Sequence, residues 1–417
     1  MENYTVILII MAVMIGTSAV ADKIKIPVPI LLILVGIIIG AVPSIPSVAL
    51  SPEIVMLIFL PPLLYDAAFN ISFKDFKTNL NTISALAVGL VFITTAGIAV
   101  IVHYMIPGMS WPLSFVLGAI LSATDAVAAI GITKGLGLPH KTITILEGES
   151  LVNDASALIA YRFAVAAVTG IAFVWWEAAL DFIIVLGGGF LVGFIISRLL
   201  AVALLMFRNN DMVIISLMLL MPFVTYLIAE HFEVSGVIAV VVLGLGMSWL
   251  SREKFPEKIK QQSRNFWEVN IFLLNGLIFV LIGLQLPIVV EKMNSAQVWT
   301  YTGYAAIITL VTFGIRLIRV YWQQFSLLRA FRGKRRISEE ALYDSKTSLI
   351  LSWSGMRGIV SLAIALGLPT TLKNGAPFPM REDIIFLSIA VVLFSLVGQG
   401  LSLPWIVKKT NKSRKKS

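Results

Sequence analysis

Apolar residues follow one another along this chain in long runs, with short polar connections between them. Runs of about 18 to 25 apolar residues are long enough to cross about 30 Å of hydrocarbon as a helix. Stretches such as Ile26 to Ala41 and Phe182 to Ile196 are apolar on every side, whereas the strands of a membrane barrel alternate over segments of about ten residues. The pattern therefore predicts an all-α polytopic membrane protein.

The runs predict 13 transmembrane spans, so the two termini are expected on opposite sides of the membrane. The first run, from Tyr4 to Ala21, has no basic residues before it and continues into a second run, so we interpret it as a retained helix and not as a signal peptide. The predicted spans are 4–21, 27–44, 53–70, 82–106, 112–133, 142–168, 179–206, 212–230, 234–250, 267–287, 297–325, 347–368 and 384–407.

Composition and charge agree with a membrane protein and give it an orientation. Only 13% of the residues are charged, compared with about a quarter in soluble domains. Of the 32 Lys and Arg residues, 24 fall in connections on the side of the C-terminus and three on the opposite side. The positive-inside rule therefore predicts a multi-pass protein of the cell (inner) membrane with a cytoplasmic C-terminus. The net charge of +9 lies in these connections, so the lipid bilayer and not nucleic acid is the expected partner.

No separate domain is expected. The longest hydrophilic stretches, Ser251 to Arg264 and Arg329 to Asp344, are too short to fold alone. We predict one transmembrane domain over residues 1–417, with a short basic cytoplasmic tail at 408–417. Because no Ser-His or Gly-x-Ser-x-Gly arrangement is present, the chain is not expected to be an enzyme.

A resident metal or other cofactor is not expected either. The sequence has no cysteine, which excludes thiolate metal sites. Its three histidines, His103, His140 and His231, are far apart in the sequence, and a metal site would need two of them to converge with a carboxylate. We interpret them as surface or interface residues.

Two spans contain small and polar residues near their centres. These segments are Gly118 to Asp125 in the fifth span and Ser352 to Gly358 in the twelfth. If spans 1–6 and 8–13 form two halves, both segments lie in the fifth helix of a half, and the halves have opposite orientations. This pattern predicts two inverted six-helix repeats whose broken helices cross at the membrane midplane and expose backbone groups there.

The sixth span carries several polar residues where a charge costs several kcal/mol, on the order of 2.5 to 3.5 on insertion scales. The spacing of four puts Ser150 and Asp154 on one helical face and Glu149 and Asn153 on the adjacent face. Hard alkali cations prefer oxygen ligands, so oxygens of this helix, together with Asp125 and a freed carbonyl near Thr124, are candidates for a cation site.

A buried carboxylate can bind a proton or a cation but rarely both, because desolvation disfavours the extra charge. Competition between the two at one carboxylate is already a mechanism of exchange. A polar ring around a continuous pore, as in a cation channel, is not evident, because the charges are concentrated in and beside the two interrupted spans.

Over nearly its whole length the chain resembles the monovalent cation:proton antiporter-1 family, the bacterial sodium/proton antiporters related to animal sodium/proton exchangers. The stretches that carry the resemblance are Phe59 to Tyr65, Ala123 to Ala128, Glu147 to Asp154, Ser235 to Val242 and Trp353 to Gly358. The resemblance implies a homodimer in which spans 4–6 and 11–13, about 82–168 and 297–407, form a mobile core. The helices at about 4–70 and 179–287 are then the scaffold.

The same resemblance implies roles for individual residues. Asp154 would be the carboxylate that binds the transported ion, and Na⁺ would contact Asp125, Ser150 and Asp154. The carbonyl of Thr124 would be a further ligand, and we also predict Asn153 as part of the cation- and proton-binding site. Glu149 matches a carboxylate that pairs with an arginine of the eleventh span, and Arg316 fits that arginine better than Arg319. Arg357 would support the core.

The implied activity is exchange of Na⁺, or of Li⁺ or K⁺, for H⁺ by alternating access, serving pH and sodium homeostasis. A K⁺-preferring antiporter and a cation channel are the alternatives. Electrogenic relatives have a second Asp just before the ion-binding one, whereas this chain has Asn153, so we expect electroneutral exchange of one cation for one proton. Many relatives also have a proline where this chain has Ala126, so the fifth-span break must have another cause.

Overall fold

The structure is a computed structural model that describes residues 2–24, 27–42, 52–133, 135–169, 175–207, 210–332, 342–372 and 375–414. Nearly all of these residues are helical. The helices are α1 (Glu2–Ile24), α2 (Val28–Gly40), α3 (Pro52–Asn70), α4 (Phe73–Thr78), α5 (Leu80–Ser84), a π-helical turn (Ala85–Gly89), α6 (Leu90–Met105), α7 (Trp111–Ser122), α8 (Ala126–Ile132), α9 (His140–Val168), α10 (Trp175–Met206), α11 (Asp211–His231), α12 (Gly236–Lys254), α13 (Glu257–Glu291), α14 (Ser295–Arg332), α15 (Ser345–Trp353), α16 (Ile359–Leu366) and α17 (Arg381–Arg414).

By length and composition, nine helical segments in the described part of the chain could each cross a membrane. Three shorter apolar helices, Ile10–Ala21, Val28–Gly40 and Met56–Asn70, correspond to the first three predicted spans. The twelfth predicted span is divided between α15 and α16. The predicted class, an all-α polytopic membrane protein with broken helices, is therefore confirmed, while the count of 13 spans stays a prediction.

Several helices are longer than the spans predicted from hydropathy. The predicted span 267–287 is part of α13, which begins at Glu257, and the eleventh predicted span continues to Arg332. Hydropathy detects only the part of a helix that can lie in hydrocarbon, and polar flanks continue the same helix. The predicted basic tail likewise continues α17 as far as Arg414, and residues 415–417 lie outside the described residues.

Contacts divide the chain into two compact units. The first consists of Met1–Pro52, Thr78–Thr169 and Asn275–Ser417, and the second of Glu53–Lys77 and Gly170–Leu274. Both segments predicted as core fall in the first unit, but so do the first two helices. The division into mobile core and scaffold therefore stays a prediction.

Within the first unit, glycines allow helix backbones to touch. A Cβ at Gly118 of α7 would overlap the backbone of Thr95 in α6. Gly36 of α2 and Gly283 of α13 approach each other in the same way. Small residues at such contacts are typical of helix packing in membranes. The contact at Gly118 holds α7 in place one turn before its helix ends.

The second unit uses the same device. Gly189 and Gly193 of α10 lie against Ser235 and Ala239 of α12, and a Cβ at either glycine would overlap the facing backbone. Ser235 also accepts a hydrogen bond from the N–H of Ile238 and so caps the start of α12. These contacts involve close packing alone, whereas the first unit combines close packing with buried charge.

Candidate functional site

The fifth predicted span is broken between α7 and α8. Ala123 and Asp125 have extended backbone conformations, with ψ of 141° and 102°. The Asp125 side chain caps the new helix, because its Oδ1 accepts a hydrogen bond from the N–H of Ala128 at 3.0 Å. A side-chain cap of this kind starts a helix without proline. The break predicted from Gly118 to Asp125 thus occurs at residues 123–125, although Ala126 stands where many relatives have proline.

The twelfth predicted span is broken between α15 and α16, at residues 354–358. The two breaks lie against each other. The N–H of Asp125 donates to the carbonyl of Met356 at 2.8 Å, and the N–H of Ile359 donates to Oδ2 of Asp125 at 3.4 Å. Gly358 is necessary at this contact, because a Cβ there would overlap the Asp125 carboxylate. The Asp125 carboxylate therefore lies at the N-termini of both α8 and α16.

Arg357 occupies the opposite electrostatic position. Its Nε donates to the carbonyl of Leu121 at 3.0 Å and its Nη1 to the carbonyl of Gly355 at 2.7 Å. These carbonyls lie at the C-terminal ends of α7 and α15, where a cation is favoured by the helix dipole. Arg357 is only 2% exposed. We call the place where the two broken helices meet the crossing. There the N-termini of α8 and α16 face an anion, Asp125, and the C-termini of α7 and α15 face a cation, Arg357.

Helix α9 approaches the first break through Thr124. The Ser150 hydroxyl donates to the Thr124 carbonyl at 2.9 Å, and Nδ2 of Asn153 donates to Thr124 Oγ1 at 2.5 Å. The Thr124 hydroxyl in turn donates to Oε1 of Glu149 at 3.3 Å. The structure thus brings Thr124 together with three of the polar residues predicted on the sixth span.

Glu149 and Arg316 form a buried ion pair in which each side chain is 1% exposed. Nη1 of Arg316 bonds to Oε1 of Glu149, and Nη2 bonds to Oε2 at 2.9 Å. The third guanidinium nitrogen, Nε, donates to the carbonyl of Leu351 in α15 at 3.0 Å. Arg319 is directed elsewhere, to Gln323 and to the carbonyl of Ala85 in the π-helical turn. The arginine favoured by the sequence is therefore the one beside Glu149.

Asp154 differs from the other carboxylates of the site. It is 7% exposed, and its Oδ1 has no hydrogen-bond partner among the residues that the structure describes. The Oδ1 of Asn153 is also buried and unpartnered in that part of the chain. A buried oxygen without a donor is costly unless a proton or a cation satisfies it. A proton or a hard cation on Asp154 would satisfy its unpartnered Oδ1.

Within the described ranges, no group of three or more His, Asp or Glu side chains is placed to hold a metal ion. His103 stacks on Trp111 with ring centroids 4.1 Å apart, and its Nδ1 lies 2.8 Å from the carbonyl of Met109.

Sequence reasoning missed the contribution of α17 and α16 to the crossing. Ser395 of α17 accepts a hydrogen bond from the N–H of Arg357 at 3.0 Å and donates one to Gln399 at 2.7 Å. The Ser361 hydroxyl of α16 donates to the carbonyl of Ala123 at 3.4 Å. A signal for the α17 contribution was present, because serines recur every seven residues along that apolar helix, at 388, 395 and 402.

A helical membrane protein in which two broken helices cross around buried charges has the architecture of a secondary transporter. The family model described as "Sodium/hydrogen exchanger, transmembrane" matches residues 8–409. The chain therefore belongs to the sodium/hydrogen exchanger family, a family of transporters and not of enzymes, which confirms the resemblance seen in its motifs.

Individual relatives agree with this membership. The chain is 35% identical over 427 residues to the sodium, potassium, lithium and rubidium/H⁺ antiporter of Bacillus pumilus, covering 99% of this chain but only 62% of that protein. It is 32% identical over 417 residues to the Na⁺/H⁺ antiporter NhaH of Halobacillus aidingensis, covering 97% of this chain and 96% of that one.

A solved structure confirms the fold. The sodium proton antiporter MjNhaP1 from Methanocaldococcus jannaschii superposes with a TM-score of 0.74, covering 98% of this chain and 99% of that one. The two sequences are 19% identical, so this likeness concerns the fold alone.

Proposed function

We propose that this protein exchanges a monovalent alkali cation, Na⁺ in the first place, for H⁺ by alternating access. The observation that carries the proposal is the buried Oδ1 of Asp154, which lacks a partner among the described residues and lies on a helix that supplies further oxygen groups. The relatives described above are named as antiporters of Na⁺ and H⁺, which supports the same activity. In a cell, such exchange serves pH and sodium homeostasis.

Asp154 is the carboxylate that binds either the cation or the proton. Asp125, the Ser150 hydroxyl and the Thr124 carbonyl are the further oxygen ligands, and Asn153 holds Thr124 through its amide. The Ser150 hydroxyl donates to the Thr124 carbonyl and accepts a hydrogen bond from the N–H of Ala126 at 3.4 Å, which leaves one lone pair of its oxygen for a cation. Cation and proton compete for Asp154, since a buried carboxylate neutralised by one has no net charge left for the other.

The arrangement of charges favours electroneutral exchange of one cation for one proton. Asp125 accepts hydrogen bonds from the N-termini of two helices, which stabilises its ionised form. Glu149 is neutralised by Arg316, and Asn153 has no exchangeable proton. Asp154 is then the group left to bind the transported ions. It releases a proton when it binds a cation, so one positive charge replaces another.

The cation selectivity has a definite alternative. The Bacillus pumilus relative is named as an antiporter of potassium, lithium and rubidium as well as sodium, so a K⁺-preferring antiporter is the second candidate. A cation channel is a weaker one, because the described carboxylates of the site lie on the ends and faces of closely packed helices.

We further propose that the protein lies in the cell membrane as a homodimer with its C-terminus in the cytoplasm. The excess of Lys and Arg on one side of the predicted spans supports this orientation. A phosphatase fused after residue 417 would be inactive in cells if the proposal holds. An active fusion would show that the C-terminus lies on the opposite side of the membrane.

Reconstitution tests the activity directly. Purified protein in liposomes that contain a pH dye should move protons when Na⁺ is added outside, and the response to Li⁺ and K⁺ gives the selectivity. Asp154→Asn should abolish this movement, because an amide cannot take up a proton and cannot neutralise the charge of a bound cation. Asp211→Asn, at a carboxylate that pairs with Lys258 at 2.7 Å, is the matched control and should exchange like the wild type. Cation flux without proton movement would indicate a channel instead.

A further inference from the structure

One peptide group in the second break is bonded on both sides. The carbonyl of Met356 accepts from the N–H of Asp125 at 2.8 Å, and the N–H of Arg357, in the same peptide plane, donates to Oγ of Ser395 at 3.0 Å. Because a peptide group is rigid and planar, neither bond can be moved without moving the other. The backbone of Asp125 is therefore connected through a single plane to a side chain of α17.

Ser395 is the exception among the described hydroxyl residues of α17. Mid-helix serines and threonines commonly donate to a carbonyl three or four residues earlier in their own helix. Three hydroxyls of α17 do so, those of Ser388, Ser402 and Thr410. Ser395 donates instead to Oε1 of Gln399, one turn further along, at 2.7 Å. With its proton committed to Gln399, the Ser395 oxygen directs lone pairs at the N–H of Arg357.

The hydrogen bonds from the N–H of Arg357 to Ser395 and from Ser395 to Gln399 form a relay, and all three residues are buried. Ser395, Gln399 and Arg357 are 1%, 8% and 2% exposed. The hydrogen bond to Ser395 is the side-chain bond that the structure gives to Gln399, whose Nε2 has no partner among the described residues. A buried amide that is not fully satisfied costs free energy. The buried position of Gln399 is explained if its bond to Ser395 orients the Ser395 hydroxyl toward the N–H of Arg357.

We propose that Ser395 and Gln399 are positioning residues for the cation site. They do not touch the cation. They fix the peptide between Met356 and Arg357, and that peptide fixes the backbone of Asp125 beside Asp154. This inference rests on the proposed exchange of a cation for a proton.

The test compares two serines of the same helix. Ser395→Ala removes the relay, whereas Ser388→Ala removes an equally buried hydroxyl that donates to the carbonyl of Ile384 in its own helix. We expect Ser395→Ala to raise the half-saturating Na⁺ concentration about five- to tenfold, the effect of losing the buried hydrogen bond that holds the N–H of Arg357, with a much smaller change in maximal rate. Ser388→Ala should match the wild type, and Ser395→Thr, which keeps a hydroxyl, should recover most of the affinity.

Gln399→Met keeps the shape of the side chain and removes the acceptor, so it should change the Na⁺ dependence in the same direction by about two- to threefold. If Ser395→Ala is not recovered as folded protein, Gln399→Met tests the positioning role in its place.

Three results would overturn the inference. If Ser395→Ala and Ser388→Ala had equal Na⁺ dependence while the wild type exchanges, the relay would have no positioning role and the proposed function would stand. If Ser395→Ala lowered only the melting temperature and the maximal rate, Ser395 would be structural. If the wild type moved no protons on addition of any alkali cation, the proposed function would fail and the inference with it.

Discussion

The two broken helices use the same backbone device with opposite charges. In the first, Asp125 lies at helix N-termini and accepts hydrogen bonds from the N–H groups of Ala128 and Ile359. In the second, Arg357 lies at helix C-termini and donates to the carbonyls of Leu121 and Gly355. Each charge is therefore stabilised by backbone dipoles, with no side chain of opposite charge among its hydrogen bonds in the described residues.

The difference between the breaks lies in what faces them. Three polar side chains of α9 reach Thr124 in the first break. The second break is bonded to α17 through Ser395, and α15 before it is bonded to Arg316. We infer that the first break presents oxygens to the ion, while the second holds those oxygens in position.

The largest effect is expected where the two breaks touch. In Gly358→Ala the new Cβ would overlap Asp125, so the crossing cannot close as it does in the wild type. Exchange activity should fall at least about a hundredfold, since the clash moves a ligand group by an appreciable part of an ångström. The measurement is sodium-driven proton movement in liposomes.

Gly131→Ala is the matched control, because a Cβ at Gly131 of α8 would meet no atom of the described residues within 4 Å beyond its own stretch of helix. It should retain activity and gain about 1 kcal/mol of helix propensity. Equal activity of the two alanine variants would show that the breaks do not need their close contact.

The buried pair between Glu149 and Arg316 should give the next largest effect, on stability. Removing one partner of a buried ion pair typically costs about 3–5 kcal/mol, because it leaves an uncompensated charge. Arg316→Ala and Glu149→Gln should each lower the melting temperature in detergent markedly, and the double variant should recover part of the loss. Fully additive losses would mean that the two side chains do not stabilise each other.

Smaller effects are expected from neutralising Asp125 or Arg357, and they distinguish the roles of these two residues. Asp125→Asn should raise the half-saturating Na⁺ concentration by about tenfold or more, because a charged ligand is lost. Arg357→Gln should lower the melting temperature, since two helix-end carbonyls exchange a charged donor for a neutral one, a difference of about 1 kcal/mol each. Its Na⁺ dependence should change less than that of Asp125→Asn. The opposite ranking would assign ion binding to the second break.

Much of this arrangement could be predicted from the sequence. Broken helices follow from Gly, Ser and charged residues in otherwise apolar spans, and the spacing of four on α9 predicts which side chains share a face. Arg316 was favoured over Arg319 through the family resemblance, and the structure directs Arg316 to Glu149.

Other features depend on contacts that a single sequence does not encode locally. The π-helical turn at Ala85–Gly89 coincides with a hydrogen bond from Arg319 to the carbonyl of Ala85, more than two hundred residues away in the chain. Ser395 resembles Ser388 and Ser402 in sequence, and only the approach of Arg357 distinguishes it. The ends of α13, α14 and α17 were missed because their polar flanks carry no hydropathy signal.

In the electroneutral exchange that we propose, Asp154 alone gains and loses a proton during transport, while Asp125 keeps one protonation state and Glu149 stays paired with Arg316. Voltage tests this claim most directly, since a potential of 100 mV is worth about 2.3 kcal/mol for each charge that crosses the membrane. In liposomes clamped with valinomycin and K⁺, we predict that the sodium-driven pH change has the same rate at positive, zero and negative potential. Acceleration at one sign of potential and slowing at the other would show that a second charge moves, and would contradict the account.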